Sequence, residues 1–202
     1  MHGGADIVLY KTGHVMMSSV QVGTAESERG LRAGEYGYQE HLMYAVLGND
    51  CFVFATHPGD SEEGTGYRPG YWYGNGVVPA VRQVKNLCGM IFSNGGAFPM
   101  HFVHVYCPSR LFAEERQVNG WRAVRRGDGY LGIWCSGALQ PHPANAYELR
   151  CRADPAAFVF CVSDADECGT FDGFVRMLAR TQPVFSAQER RLVCGGLELL
   201  GV

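Results

Sequence analysis

Apolar positions in this chain recur mainly at every second residue, in short runs separated by glycine-rich turns. Met100 to Cys107 alternates most strictly, with Phe102, His104 and Tyr106 on one face and His101, Val103 and Val105 on the other. That period is the mark of a strand with different surroundings on its two sides. Asp6 to Tyr10 and Val15 to Val22 read as strands around a Thr12-Gly13 turn. Residues 39 to 47 and 51 to 57 read as a hairpin about Gly48-Asn49-Asp50, because glycine, asparagine and aspartate supply turn backbone. Val77 to Phe92 predicts one long or two short strands. Trp121 to Arg126 and Tyr130 to Ser136 flank Gly127-Asp128-Gly129, a strong hairpin signal. Further strands are expected near Tyr147 to Arg152, Ala157 to Val162 and Leu192 to Leu200. Helical spacing is confined to Phe171 to Arg180, where Phe171, Phe174, Val175 and Leu178 share a face. About ten short strands with one helix near the C-terminus predict an all-β fold, an antiparallel β-sandwich or barrel. The sandwich is the expectation carried forward, as a single domain over residues 1–202.

Composition fits that picture: the 202 residues are 47% hydrophobic and 18% charged, enough to build one real core. A net charge of −3 without a basic run lacks the electrostatic footprint of a nucleic-acid binder. No apolar run approaches the roughly 20 residues of a membrane helix, so no membrane partner is expected. Met1-His-Gly-Gly-Ala-Asp lacks the basic and apolar regions of a signal peptide, which predicts a cytoplasmic chain if residue 1 is the start. A periplasmic or secreted protein is expected if a longer N-terminal part precedes it. The eight cysteines form no C-x-x-C pair and mostly lie inside apolar runs, as small buried hydrophobes do.

Candidate chemistry gathers between Tyr36 and Asn75. A three-residue loop at 48–50 sets Leu47 opposite Cys51 and, in the same register, His41 opposite His57. Opposed side chains have Cβ atoms about 4.5–5.5 Å apart, close enough for two imidazoles to share a metal. His41, His57 and His104 together suit zinc or a similar divalent ion. The alternative is that each histidine is separately hydrogen-bonded in a partly buried place. The run Arg68 to Gly76 holds groups that bind sugars: Tyr71 and Trp72 stack on pyranose rings, Arg68 pairs with a uronate carboxylate, and Asn75 donates and accepts. The same run is equally an aromatic loop packed over one end of the sandwich. Glu40 neighbours His41 and so points to the other face.

The run from Tyr38 to Gly59, a histidine-bearing strand, a glycine turn, an apolar strand and a Pro58-Gly59 end, resembles the C-terminal β-sandwich of heparinase II/III-like polysaccharide lyases and related α/α-toroid glycan-degrading enzymes. The resemblance implies a zinc ion held by His41 and His57, the latter where aspartate is more usual, with His104 as a third ligand. It also implies an acidic polysaccharide or oligosaccharide as partner, a sandwich forming one wall of the glycan cleft, and a helical toroid domain N-terminal to it. Where the family carries a catalytic histidine two residues before the metal ligand, this chain has Gln39. Tyr38 and Tyr73 are then the candidate acids, and an isolated sandwich is expected to be inactive. Two other classes remain: a non-catalytic carbohydrate-binding or structural module, and a cupin-like metal-dependent enzyme. For the latter His101-Phe-Val-His104 has the wrong parity.

Overall fold

A computed structural model of the chain describes residues 5–22, 42–57, 79–93, 102–143 and 145–201. Among them are sixteen strands, numbered here in chain order, and two short α-helices. The first sheet has seven antiparallel strands, in the order β1 (Ala5–Lys11), β2 (Val15–Val22), β3 (Met43–Leu47), β4 (Cys51–Thr56), β7 (Val103–Tyr106), β12 (Asn145–Cys151) and β11 (Leu139–His142). The second has six, in the order β5 (Ala80–Val84), β6 (Leu87–Phe92), β13 (Ala156–Asp164), β10 (Gly129–Cys135), β9 (Trp121–Arg126) and β8 (Glu114–Val118). The two sheets face one another as a sandwich, which is the predicted architecture.

Alternation decides what fills the space between them. Met17, Leu47, Val53, Val103 and Val105 from the first sheet belong to one buried cluster with Met90, Phe92, Ile133, Phe158 and Phe160 from the second. β13 is buried along its whole length, because its other face is covered as well. There Val159 and Cys161 join Trp121, Phe174, Leu178, Leu192 and Leu197 in a second cluster. A strand covered on both faces reads as an unbroken apolar run, as Ala156 to Val162 does.

That second layer consists of helix α2 (Phe171–Arg180) and a three-stranded sheet of β14 (Val184–Ser186), β15 (Arg191–Cys194) and β16 (Leu197–Leu200). The helix has the predicted bounds, preceded by the single turn α1 (Ala165–Cys168). Thr170 caps α2 by accepting a hydrogen bond from the Gly173 N–H at 3.1 Å. The layer sits close: a Cβ at Gly132 would lie 2.8 Å from Leu178 Cδ1, and one at Gly89 2.8 Å from Leu197 Cδ2.

Two expectations are corrected, and one open alternative is decided. The last strand is two, β15 and β16, because Gly195 takes a positive φ of 56° and reverses the chain. Val77 to Phe92 resolves into the two-strand alternative, with Lys85 at a φ of 53° in the turn. β8 and β11 were not expected as strands: both are sheet edges, so one carries polar residues and the other tolerates Pro141.

Candidate functional site

The hairpin of β3 and β4 has the predicted register, with Leu47 opposite Cys51, Val46 opposite Phe52 and Ala45 opposite Val53. His41 lies outside the described residues, as do Tyr38, Arg68, Tyr71, Trp72, Tyr73 and Asn75. His57 follows β4 and is fully buried. His104 lies at the middle of the first sheet, and its surroundings are set by register on both sides. β7 pairs with β4 so that Thr56 faces His104 and Phe54 faces Tyr106. On its other edge, β7 pairs with β12 so that Arg150 faces His104 and Glu148 faces Tyr106.

Because Val103 and Val105 enter the sandwich core, these residues all stand on the outer side of the sheet. They are nevertheless buried: His104, Glu148 and Arg150 are 1%, 4% and 5% exposed. Charged groups so deep must find partners. The Nδ1 of His104 lies 2.5 Å from Glu148 Oε1, and the Nε of Arg150 donates to the same oxygen at 2.8 Å. The second carboxylate oxygen accepts from the Asn145 amide at 3.3 Å. Phe102 packs edge-on against the imidazole at 4.7 Å between centroids. The guanidinium of Arg150 lies 4.4 Å above the Phe102 ring, and that of exposed Arg152 at 5.6 Å.

The titration of the pair follows from these contacts. Burial lowers the pKa of His104 below its usual range, outweighing the upward pull of Glu148. Burial also works against the Glu148 charge, but hydrogen bonds and charge from His104 and Arg150 win and hold its pKa at about 2. The imidazole is therefore neutral and the carboxylate ionised at neutral pH. A neutral ring that donates through Nδ1 carries its lone pair on Nε2. That atom is buried with no hydrogen-bond partner among the described residues, and so is Thr56 Oγ1 from the opposed position. An imidazole oriented by a carboxylate, with its second nitrogen unused, can accept a proton or bind a metal.

Searches against protein-family models, curated proteins and solved structures return no match. The residues themselves thus carry the argument.

The register places Thr56 opposite His104, so strand alternation runs one residue out of step with a joint His57–His104 site. Among the described residues no group of three histidine, cysteine, aspartate or glutamate side chains is placed to hold a metal. The partners that sequence reading missed are Glu148, Arg150 and Thr56. The alternation of Glu148 and Arg150 along Asn145 to Cys151 was a signal, since it puts two opposite charges on one face of a strand. A row of rings lies beside the pair. Tyr44 meets Phe54 edge-on at 5.5 Å, Phe54 stacks on Tyr106 at 5.1 Å, and Tyr106 stacks on Tyr147 at 6.1 Å.

Proposed function

We propose that this chain is the β-sandwich domain of a polysaccharide-degrading enzyme of the heparinase II/III-like type, lyase or hydrolase, forming one wall of a cleft for an acidic glycan. The observation that carries the reading is the buried His104–Glu148–Arg150 cluster, whose unused imidazole nitrogen lies on the outer side of the sheet. Glu148 holds the ring in one tautomer, and Arg150 keeps Glu148 ionised. Nε2 is then ready to take a proton or a ligand. Arg152 brings an exposed positive charge to the same end of the sheet, which suits a uronate carboxylate.

The implied zinc fits His104, because a carboxylate behind Nδ1 is the usual support of a metal-bound imidazole. His41 and His57 are the companions that the resemblance implies, but alternation sets His57 on the opposite face from His104, so His104 is the ligand the register supports. Bound there, zinc would supply a Lewis acid and a fixed positive charge. A second reading, a non-catalytic carbohydrate-binding module, is favoured by the row Tyr44, Phe54, Tyr106 and Tyr147, since aromatic faces stack on sugar rings.

Elemental analysis of the purified chain, with uronate and neutral oligosaccharides as binding probes, tests the proposal. The expected result is about one zinc per chain, lost in His104→Ala, and binding of uronates that weakens in Arg152→Ala. Absence of both zinc and uronate binding would overturn it. Uronate binding without metal would move the binding-module reading to the front. Little or no turnover is expected from the chain alone, and measurable glycan cleavage by it would contradict the need for a helical partner domain.

A further inference from the structure

Two stretches of chain cross between the sheets side by side at one end of the sandwich. β10 in the second sheet ends at Cys135, and the chain passes to β11 in the first sheet at Leu139. β12 in the first sheet ends at Cys151, and the chain returns to β13 in the second at Ala156. Leu139 pairs with Cys151, and Cys135 pairs with Phe158, so each cysteine stands where its crossing leaves a sheet. The crossings are bound together: the Ser136 N–H donates to the Ala157 carbonyl at 2.9 Å, and the Ala157 N–H donates to Ser136 Oγ at 2.9 Å. Gly137 permits this closeness, since a Cβ there would lie 2.9 Å from Ala153 Cβ and 3.0 Å from Cys151 Sγ.

Cys135 packs against the core cluster to which Cys151 belongs, and a Cβ at Gly137, two residues on, would touch Cys151 Sγ, so the two side chains point into the same corner. Cys151 is fully buried, whereas Cys135 is half-buried. The partial exposure of Cys135 gives a small oxidant a way in from solvent.

We propose that Cys135 and Cys151 are a redox-active dithiol, closed by hydroperoxides into a disulfide that ties the two sheets together. One sulfur, as thiolate, attacks a peroxide oxygen; the O–O bond breaks, and the departing hydroxide takes a proton to become water. The second sulfur then displaces hydroxide from the resulting sulfenic acid. An S–S bond forms, an S–O bond breaks, and the second thiol's proton leaves with that hydroxide as water. Two electrons pass from the sulfurs to the peroxide. The surroundings favour the anion this needs. The Cys135 thiol, followed by the backbone N–H groups of Ala153 and Gly137, lowers the Cys151 pKa despite burial, while the same pairing raises that of Cys135, so the anion rests on Cys151. By contrast, burial raises the thiols of Cys51, Cys88, Cys107, Cys161 and Cys194.

The test treats the full chain with hydrogen peroxide, blocks remaining thiols, and maps peptides without reduction. The expected result is a loss of about 2 Da and one linked peptide pair joining Cys135 to Cys151, reversed by dithiothreitol. A tie closing a loop of this size should raise the Tm by roughly 6–12 °C. Cys135→Ser, at the half-buried position, should fold normally and lose both the link and the Tm rise. Peroxide that leaves both cysteines alkylatable, links other cysteines, or oxidises Cys135 singly to sulfinic acid would overturn the proposal. A link that forms without raising the Tm would overturn the tie between the sheets.

Discussion

Glu148→Gln isolates the charge at the centre of the His104 cluster while keeping its shape and an acceptor oxygen. In the folded chain the carboxyl is held at about 2 against an ordinary 4.5. At roughly 1.36 kcal/mol per pKa unit, that depression is worth about 3 kcal/mol of folding stability. The sign follows from proton binding. Below pH 4.5 the unfolded carboxyl takes a proton that the folded one refuses until the pH nears 2, so the contribution is complete above 4.5 and is lost as pH falls towards 2. His104 adds a loss of the same sign that begins higher, because its folded pKa lies below the usual 6.5 and the unfolded ring charges first. Arg150 loses its buried counter-ion in the variant, and an unpaired buried charge is costly. Urea unfolding from pH 7 downwards measures this. With a slope of about 3 kcal/mol/M for a chain of this size, the variant's midpoint should fall by about 1 M at pH 7. The gap between the two proteins should narrow below pH 4.5 and approach zero near pH 2. A gap under about 0.5 kcal/mol at pH 7, or one that stays constant from pH 7 to 3, would refute the charge assignment.

Two further substitutions probe the layer behind the second sheet. Gly173→Ala should destabilise the chain by about 1–3 kcal/mol in thermal or urea unfolding, although alanine usually favours a helix. A Cβ there would lie 2.4 Å from the Cys168 carbonyl oxygen, which is backbone of the preceding turn; a stabilised variant would show that the turn yields. Phe174→Ala should cost about 3–5 kcal/mol, because the ring is fully buried against Tyr130 and Phe171 in the second core. A cost below about 1 kcal/mol would mean that the layer is not part of the cooperative fold.

The predictable parts of this fold were those decided within about ten residues of chain. The 48–50 turn set the pairing of Leu47 with Cys51, and the 3.6-residue period of Phe171, Phe174, Val175 and Leu178 defined a helix with the observed bounds. Edge strands were not visible in the same way. Glu114 to Val118 shows no apolar alternation because neither of its faces is fully covered, and hydrophobic pattern reports covering rather than hydrogen bonding. Of the short sheet, Leu192 to Leu200 was legible only as one strand and β14 was missed, since Leu192, Leu197 and Leu199 are buried by a neighbouring layer and not by the sandwich core.

The candidate site divides along the same line. Alternation alone put His104 and Phe102 on one face of a strand, and they are in contact there. What makes His104 chemically distinctive is the pairing of β7 with β12, which joins residues more than forty positions apart. Nothing local selects that pairing, because many apolar strands could lie beside β7 with equal burial. Charge supplies the missing criterion. Glu148 and Arg150 sit on the outer side of β12, where a buried ion pair is costly unless each member finds hydrogen bonds. A neighbouring strand that presents an imidazole N–H to the shared carboxylate oxygen meets that need, whereas an apolar outer face would leave one acceptor direction unused. The pair Glu148–Arg150 thus favours this strand as neighbour and this register within it. The same contact gives His104 a fixed tautomer, so the feature that specifies the sheet also prepares its site.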